Sequence, residues 1–178
     1  GTYGPQDSPT RAGLEWTDDD PAGSPTWTRL FRSASIASFG ANERRVIEYV
    51  APIVNDPGGH RYWRLHQYRN RTSQTGIAEL EMAQYVGGPN LCVEVGGTAS
   101  ASGTYGGFYG PDRAFNGDRG NGSGEWGTPS GGNAEHWLQF DFGSGNAFLI
   151  NEVRMSPFSD IAGTPMIFAV EWSDDTID

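Results

Sequence analysis

An all-β sandwich or barrel is the fold class this sequence predicts, and three observations predict it. Gly (26) and Pro (11) make up about a fifth of the 178 residues, a turn-rich composition. Charged residues reach only 19%, which disfavours long charged helices and coiled coils. Apolar residues alternate in many short pieces bounded by Gly, Pro, Asn, Asp or Ser, the spacing that short strands of a sandwich or barrel produce.

Taken in order, the expected strands are 13–16, 45–50, 62–68, 77–82, 136–142, 149–155 and 167–172. The first runs through Leu14 and Trp16 into the acidic turn Asp18-Asp19-Asp20, and the third follows Gly58-Gly59. Segment 77–82 could pass for a helical turn, but Gly76 before it and Gly87-Gly88 after it leave little room, so a strand is expected. In 136–142, Trp137, Gln139 and Asp141 share one face and Leu138, Phe140 and Phe142 the other, which is the expected core face. The last strand ends in Ser173-Asp174-Asp175.

One segment occurs twice. Ser8-Pro9 to Glu15-Trp16-Thr17-Asp18-Asp19 recurs 156 residues later as Thr164-Pro165 to Glu171-Trp172-Ser173-Asp174-Asp175. That interval is about one whole domain.

Charge and composition also exclude functions. Twelve basic against 22 acidic residues give a net charge of −10, which opposes attraction to nucleic acid or an anionic membrane. Every basic residue is Arg, so Schiff-base lysine and P-loop chemistry are absent. The single cysteine, Cys92, allows no internal disulfide and no Cys-based zinc site. No apolar run approaches transmembrane length and residues 1–10 lack the regions of a signal peptide, so a soluble chain without membrane insertion is expected.

Residues 94–178 resemble the first half of a discoidin domain, the coagulation-factor type C or galactose-binding-like jelly roll. The matching pieces are Thr98-Ala99-Ser100-Ala101-Ser102, Gly110-Pro111-Asp112-Arg113-Ala114-Phe115-Asn116-Gly117-Asp118, Trp126, His136-Trp137-Leu138-Gln139-Phe140-Asp141-Phe142-Gly143, Ile150-Asn151-Glu152-Val153-Arg154-Met155 and Val170-Glu171-Trp172-Ser173-Asp174-Asp175. Residues 14–86 resemble the second half, through Leu14-Glu15-Trp16-Thr17-Asp18-Asp19, Thr26-Trp27, Arg61-Tyr62-Trp63-Arg64-Leu65 and Ile77-Ala78-Glu79-Leu80-Glu81-Met82. The halves therefore stand in reversed order, 1–86 and 94–178, joined by a linker at 87–93. Tandem copies, a circular permutation and exchange of halves between protomers all produce that order. Either half alone would expose a sheet edge and a bare apolar face, so the halves are expected to complete one another within the chain or between copies.

The Arg-Tyr-Trp-Arg and Ala-Glu-Leu-Glu-Met strands followed by Gly-Gly also resemble phage virion proteins. That resemblance implies an extracellular tail, fibre or head-decoration component in a larger oligomeric assembly. Its expected partners are a host cell-surface glycan or neighbouring virion proteins.

The family resemblance further implies sites. Carbohydrate binding in the family uses loops at one end of the sandwich, here Tyr105, Phe108 and Tyr109 in a Gly-rich loop, with Trp126, His136 and Arg154 beside it. Loop aromatics equally pack against neighbouring domains, and the family commonly buries a Trp at the place of Trp126. A structural calcium would take carbonyls of Ala114 and Asn116, the Asp118 carboxylate, and Glu79 or Glu81, an all-oxygen set suited to a hard cation. Asn116-Gly117-Asp118 also suits a plain β-turn. Catalysis finds little support: His60, His66 and His136 have no nucleophile partner or ligand spacing, and Glu79 with Glu81 is too local a pair for acid–base work without a cleft.

Overall fold

The computed structural model describes residues 28–32, 45–48, 58–70, 74–119, 124–130, 134–157 and 165–174. Among these run nine strands: β1 (Thr28–Arg32), β2 (Arg45–Glu48), β3 (Tyr62–Asn70), β4 (Gly76–Ala83), β5 (Thr98–Ala101), β6 (Trp126–Gly127), β7 (His136–Asp141), β8 (Glu152–Pro157) and β9 (Pro165–Ser173). One helical turn, α1 (Leu91–Glu94), and a 3₁₀ turn, Pro111–Phe115, complete the elements. The strands form two antiparallel sheets, in the orders β1-β9-β3-β7-β5 and β2-β8-β4-β6. This is the all-β sandwich architecture that the alternating segments predict.

Period-two alternation sets the core of the first sheet. Trp63 and Leu65 of β3 stand opposite Phe140 and Leu138 of β7 on one side and Trp172 and Val170 of β9 on the other. All except the half-buried Trp172 are buried in one apolar cluster. In the second sheet Leu80 and Met82 of β4 face Met155 and Val153 of β8. A register shift between Ile77 and Glu79 lets Ile77, three residues before Leu80, face the same core beside Trp126. A β-bulge does this by leaving one residue unpaired.

Among the described residues, β1, β2, β3 and β4 pair only with strands that follow residue 97: β3 lies between β7 and β9, and β4 between β6 and β8. The two halves of the chain interleave strand by strand. The expected strand 13–16 lies outside the described residues, as does the whole 8–19 segment. Strand 149–155 begins later than expected, at Glu152, because Phe148 bridges His60 instead.

Segment 87–93, expected as a linker, contributes to the core. Asn90 caps α1, its side chain accepting from the Cys92 N–H at 3.2 Å. The turn buries Leu91 and Cys92. Burial is what raises the Cys92 thiol pKa well above its ordinary value.

Gly59 packs where no side chain fits: a Cβ there would lie 2.5 Å from the Ala147 carbonyl oxygen, next to the paired backbone bonds between His60 and Phe148. Gly59→Ala should therefore cost about 1–3 kcal/mol, the usual penalty of overpacking. Thermal denaturation checks this, and an unchanged midpoint would count against the contact.

Candidate ligand-binding site

Strand connectivity brings the 102–110 loop, β6 and the start of β7 to one end of the sandwich. β5 runs into the loop and pairs antiparallel with β7, so Ser102 stands beside β7, with its N–H donating to the Trp137 carbonyl at 3.0 Å. The loop is then fastened to β6. Tyr105 N–H donates to Gly127 O at 2.8 Å, Gly127 N–H donates to Tyr109 O at 3.3 Å, and Tyr109 N–H closes the turn onto Gly106 O at 3.0 Å. Gly127 sits under both tyrosines, whose Cβ atoms would lie 3.4 and 3.5 Å from a Cβ placed there.

These bonds fix the backbone from which three aromatic side chains project. Tyr105 and Tyr109 meet edge to face, with ring centroids 5.4 Å apart and planes at 64°, a favourable quadrupole arrangement. Phe108, between them in sequence, is 81% exposed, and Tyr105 is 52% exposed. An apolar ring that is so exposed has little packing role among the described residues and leaves its surface to solvent.

The remaining expected ligand residues divide. Trp126 is fully buried, and its indole N–H donates to Gly103 O at 3.1 Å. It anchors the loop from below and offers no free ring face. His136 is half-buried near the loop, with Nδ1 3.3 Å from Ser102 Oγ. Burial lowers its pKa, so the neutral ring, one donor and one acceptor, prevails at neutral pH.

Arg154 stands elsewhere. It pairs with Glu81 across the second sheet, four residues along β4 from the Ile77–Trp126 pairing, roughly 13 Å at strand rise. It is buried there, with Nη1 2.7 Å from Glu81 and Nε 2.9 Å from Glu152, and Nη2 donates to the Gly88 carbonyl. The structure thus brings together Tyr105, Phe108, Tyr109, Trp126 and His136 and leaves Arg154 apart. Alternation gives a strand residue its face, but only the register shows that a carboxylate lies opposite.

Of the expected calcium residues, Glu79 and Glu81 lie on the outer side of β4, and the turn that carries Asn116 and Asp118 is tied to Glu79 through Gly117. Ala114 is buried in the 3₁₀ turn, and Asn116 and Asp118 follow it, exposed. Asn116 Oδ1 accepts from the Asp118 N–H at 2.8 Å. Gly117, at φ +82, takes the left-handed conformation that glycine favours. That turns its N–H onto both oxygens of Glu79, at 3.1 and 3.0 Å, while Asn90 donates to Oε1 at 3.1 Å.

Glu79 is fully buried, and burial pushes its pKa up to about 8 against the opposing hydrogen bonds from Gly117 and Asn90. Glu81 differs: Arg119 Nε and Arg154 Nη1 each lie 2.7 Å from one of its oxygens. A cleft of about 240 Å³ beside them is lined by Glu81, Asn90, Val93, Glu94, Gly117 and Arg119. Glu79, Asn116 and Asp118 offer oxygens of the type a hard cation takes, but a cation at Glu79 has to displace the N–H groups of Gly117 or Asn90. Glu81, with a guanidinium on each oxygen, is already neutralised. Among the described residues no three His, Cys, Asp or Glu are grouped as metal ligands.

A further polar cluster, which alternation alone did not single out, lies on the outer face of the first sheet. Glu171 of β9 accepts from Arg64 Nε at 2.7 Å and from the Tyr68 hydroxyl at 3.2 Å, and His66 Nδ1 lies 3.4 Å away. Burial would raise the Glu171 pKa, but His66 and Arg64 outweigh it and hold it at about 2. Below it His60 stacks on Trp172, with centroids 3.3 Å apart, and contacts Asp174 Oδ2 at 2.9 Å. The end of β9 is packed up to Ser173, which is buried with Glu171, while Asp174 just beyond it is exposed.

Comparison with protein-family models, curated proteins and solved structures gives no match.

Proposed function

We propose that this protein is a non-enzymatic carbohydrate-binding module of a phage-like particle, with the 102–110 loop contacting a host-surface glycan. The observation that carries the reading is the aromatic loop: Phe108 and Tyr105 project into solvent from a turn fastened to β6 by backbone bonds at both tyrosines. Sugars present flat C–H faces, and aromatic rings carried on a fastened loop backbone meet such a face without ordering the loop. The acidic chain suits a neutral saccharide better than a polyanion. Tyr109 and His136 supply hydroxyl and imidazole groups for orientation. The discoidin-like resemblance of the sequence supports the same assignment, and its phage-type motifs support the virion setting.

Calcium belongs to this reading as a structural ion. Glu79, Asn116 and Asp118 would hold it, and it would supply the positive charge that the buried Glu79 carboxylate lacks.

A glycan array with and without chelator tests the proposal. Phe108→Ala should weaken binding at least tenfold, about 1.4 kcal/mol, and leave the melting midpoint unchanged, because exposed substitutions rarely cost more than about 0.5 kcal/mol. Absence of binding to any glycan would overturn the assignment.

A second reading, an architectural domain joining subunits, has its own supporting observation. Tyr85, Val86, Val93 and Val95 are exposed apolar residues along 84–95, beyond the end of β4 opposite the aromatic loop. If Tyr85→Ser with Val93→Ser disrupts particle assembly while no glycan binds, this reading replaces the first.

A further inference from the structure

One polar side chain is enclosed by the core and answered by nothing in it. Trp63 and Leu65 of β3 face the interior, and Gln67, next on that face, stands opposite Phe168 of β9 and His136 of β7. Gln67 is 0% exposed, and among the described residues neither its carboxamide nitrogen nor its oxygen has a hydrogen-bond partner. The second sheet presents a matching group. Thr75 extends the pairing of β4 with β6 by one step, its N–H donating to Thr128 Oγ1 and its carbonyl accepting from the Thr128 N–H, each at 2.9 Å. Alternation turns its side chain to the side of the core residue Ile77. Thr75 is buried, and among the described residues its hydroxyl likewise has no partner.

The two residues occupy the last layer of the interior at the aromatic-loop end, one on each sheet. Gln67 lies one layer beyond the Leu65–Leu138 pair, and Thr75 one layer beyond the Ile77–Trp126 pair. Buried polar side chains of native proteins nearly always have a partner, and a carboxamide calls for both an acceptor and a donor. We infer that Gln67 and Thr75 together bind one internal water molecule beneath the aromatic loop. Water donates and accepts at once, as the carboxamide requires, and commonly makes about three such bonds to otherwise unpaired buried groups. The adjoining Leu65, Ile77 and Phe168 are apolar and buried, so a charged ligand would have no counter-charge there and a neutral hydroxyl fits.

Water-to-protein cross-relaxation at the Gln67 side-chain NH₂, together with magnetic relaxation dispersion of the solvent, tests this on the full chain. The parent should show the cross-peak. Gln67→Met, nearly the same in shape, should hold one long-lived water fewer, with its melting midpoint unchanged or lower. Thr75→Val should lose the cross-peak or speed exchange of the water at least tenfold. A Gln67→Met midpoint raised by about 5 °C or more would show an amide left unpaired in the parent and overturn the site. A parent without the cross-peak overturns it too, and a cross-peak unchanged in Thr75→Val overturns the bridge between the sheets. If Gln67→Met does not fold, the parent and Thr75→Val decide. None of these readouts involves a glycan, so their failure leaves the function proposed above untouched.

Discussion

Glu79→Gln should raise the melting temperature by about 5 °C at about pH 8 in chelator and change it little at about pH 5. Glu79 lies on the outer face of β4, fully buried beneath Asn90 and Gly117, with its pKa pushed up to about 8. In the unfolded chain it ionises near an ordinary glutamate value of about 4.3. Between these two values the folded protein holds a proton that the unfolded chain has lost. Its contribution is thus fully present below about pH 4.3 and drains away as pH rises through about 8. Glutamine keeps the acceptor for Gly117 and Asn90 and has nothing to ionise, so the two proteins diverge as pH rises. A parent as stable as the variant at pH 8 would refute the burial argument. Excess calcium adds a second arm: if Glu79 holds the ion, calcium raises the midpoint of the parent and not of Glu79→Gln.

The opposite pH dependence is expected at Glu171. Held at about 2 by His66 and Arg64 against its burial, this carboxylate contributes stability above its unfolded value of about 4.3, and the contribution is lost as pH falls toward 2. Asp141 acts in the same direction, because Arg61 bonds both its oxygens, at 2.7 and 2.8 Å, and lowers its pKa. Glu171→Gln should cost about 3 kcal/mol at neutral pH, since it leaves the Arg64 guanidinium without its counter-charge in a mostly buried position. It should also flatten the acid limb of the stability curve between about pH 4.5 and 2. Urea midpoints measured across that range decide the matter, and an unchanged limb would show that Glu171 does not drive acid unfolding.

Much of the sandwich was legible because strong alternation survives in the longer strands. Trp63 with Leu65, and Leu138 with Phe140 and Phe142, announce their faces by period two alone, and all five are buried. β5 escaped notice because Thr-Ala-Ser-Ala has no large residue to mark a face. β6 is only two residues long and becomes a strand through its pairing with Gly76 and Ile77. α1 is a single turn whose existence rests on the Asn90 cap and on burial of Leu91 and Cys92, tertiary features that a Gly-Gly flank obscures. Of the candidate site, the aromatic loop came from the family resemblance, and its glycines and rings alone would equally have suited packing against a neighbouring domain. The displacement of Arg154 was not, because it depends on strand register against Glu81. The two glutamates of β4 looked equivalent in sequence, and only the neighbours that each one meets across space separate them.

The buried turn at Leu91–Glu94 gives the molecule an internal clock. Cys92 is the only sulfhydryl in the chain, and it is enclosed and held in the unreactive protonated form. A thiol reagent therefore meets nothing until this short helix lifts from β4, and the pace of labelling is set by that breathing motion. The exposed valines Val93 and Val95 ride on the same segment. Anything that settles on them slows the clock, so one native atom reports, without any introduced label, on events at a surface it never touches.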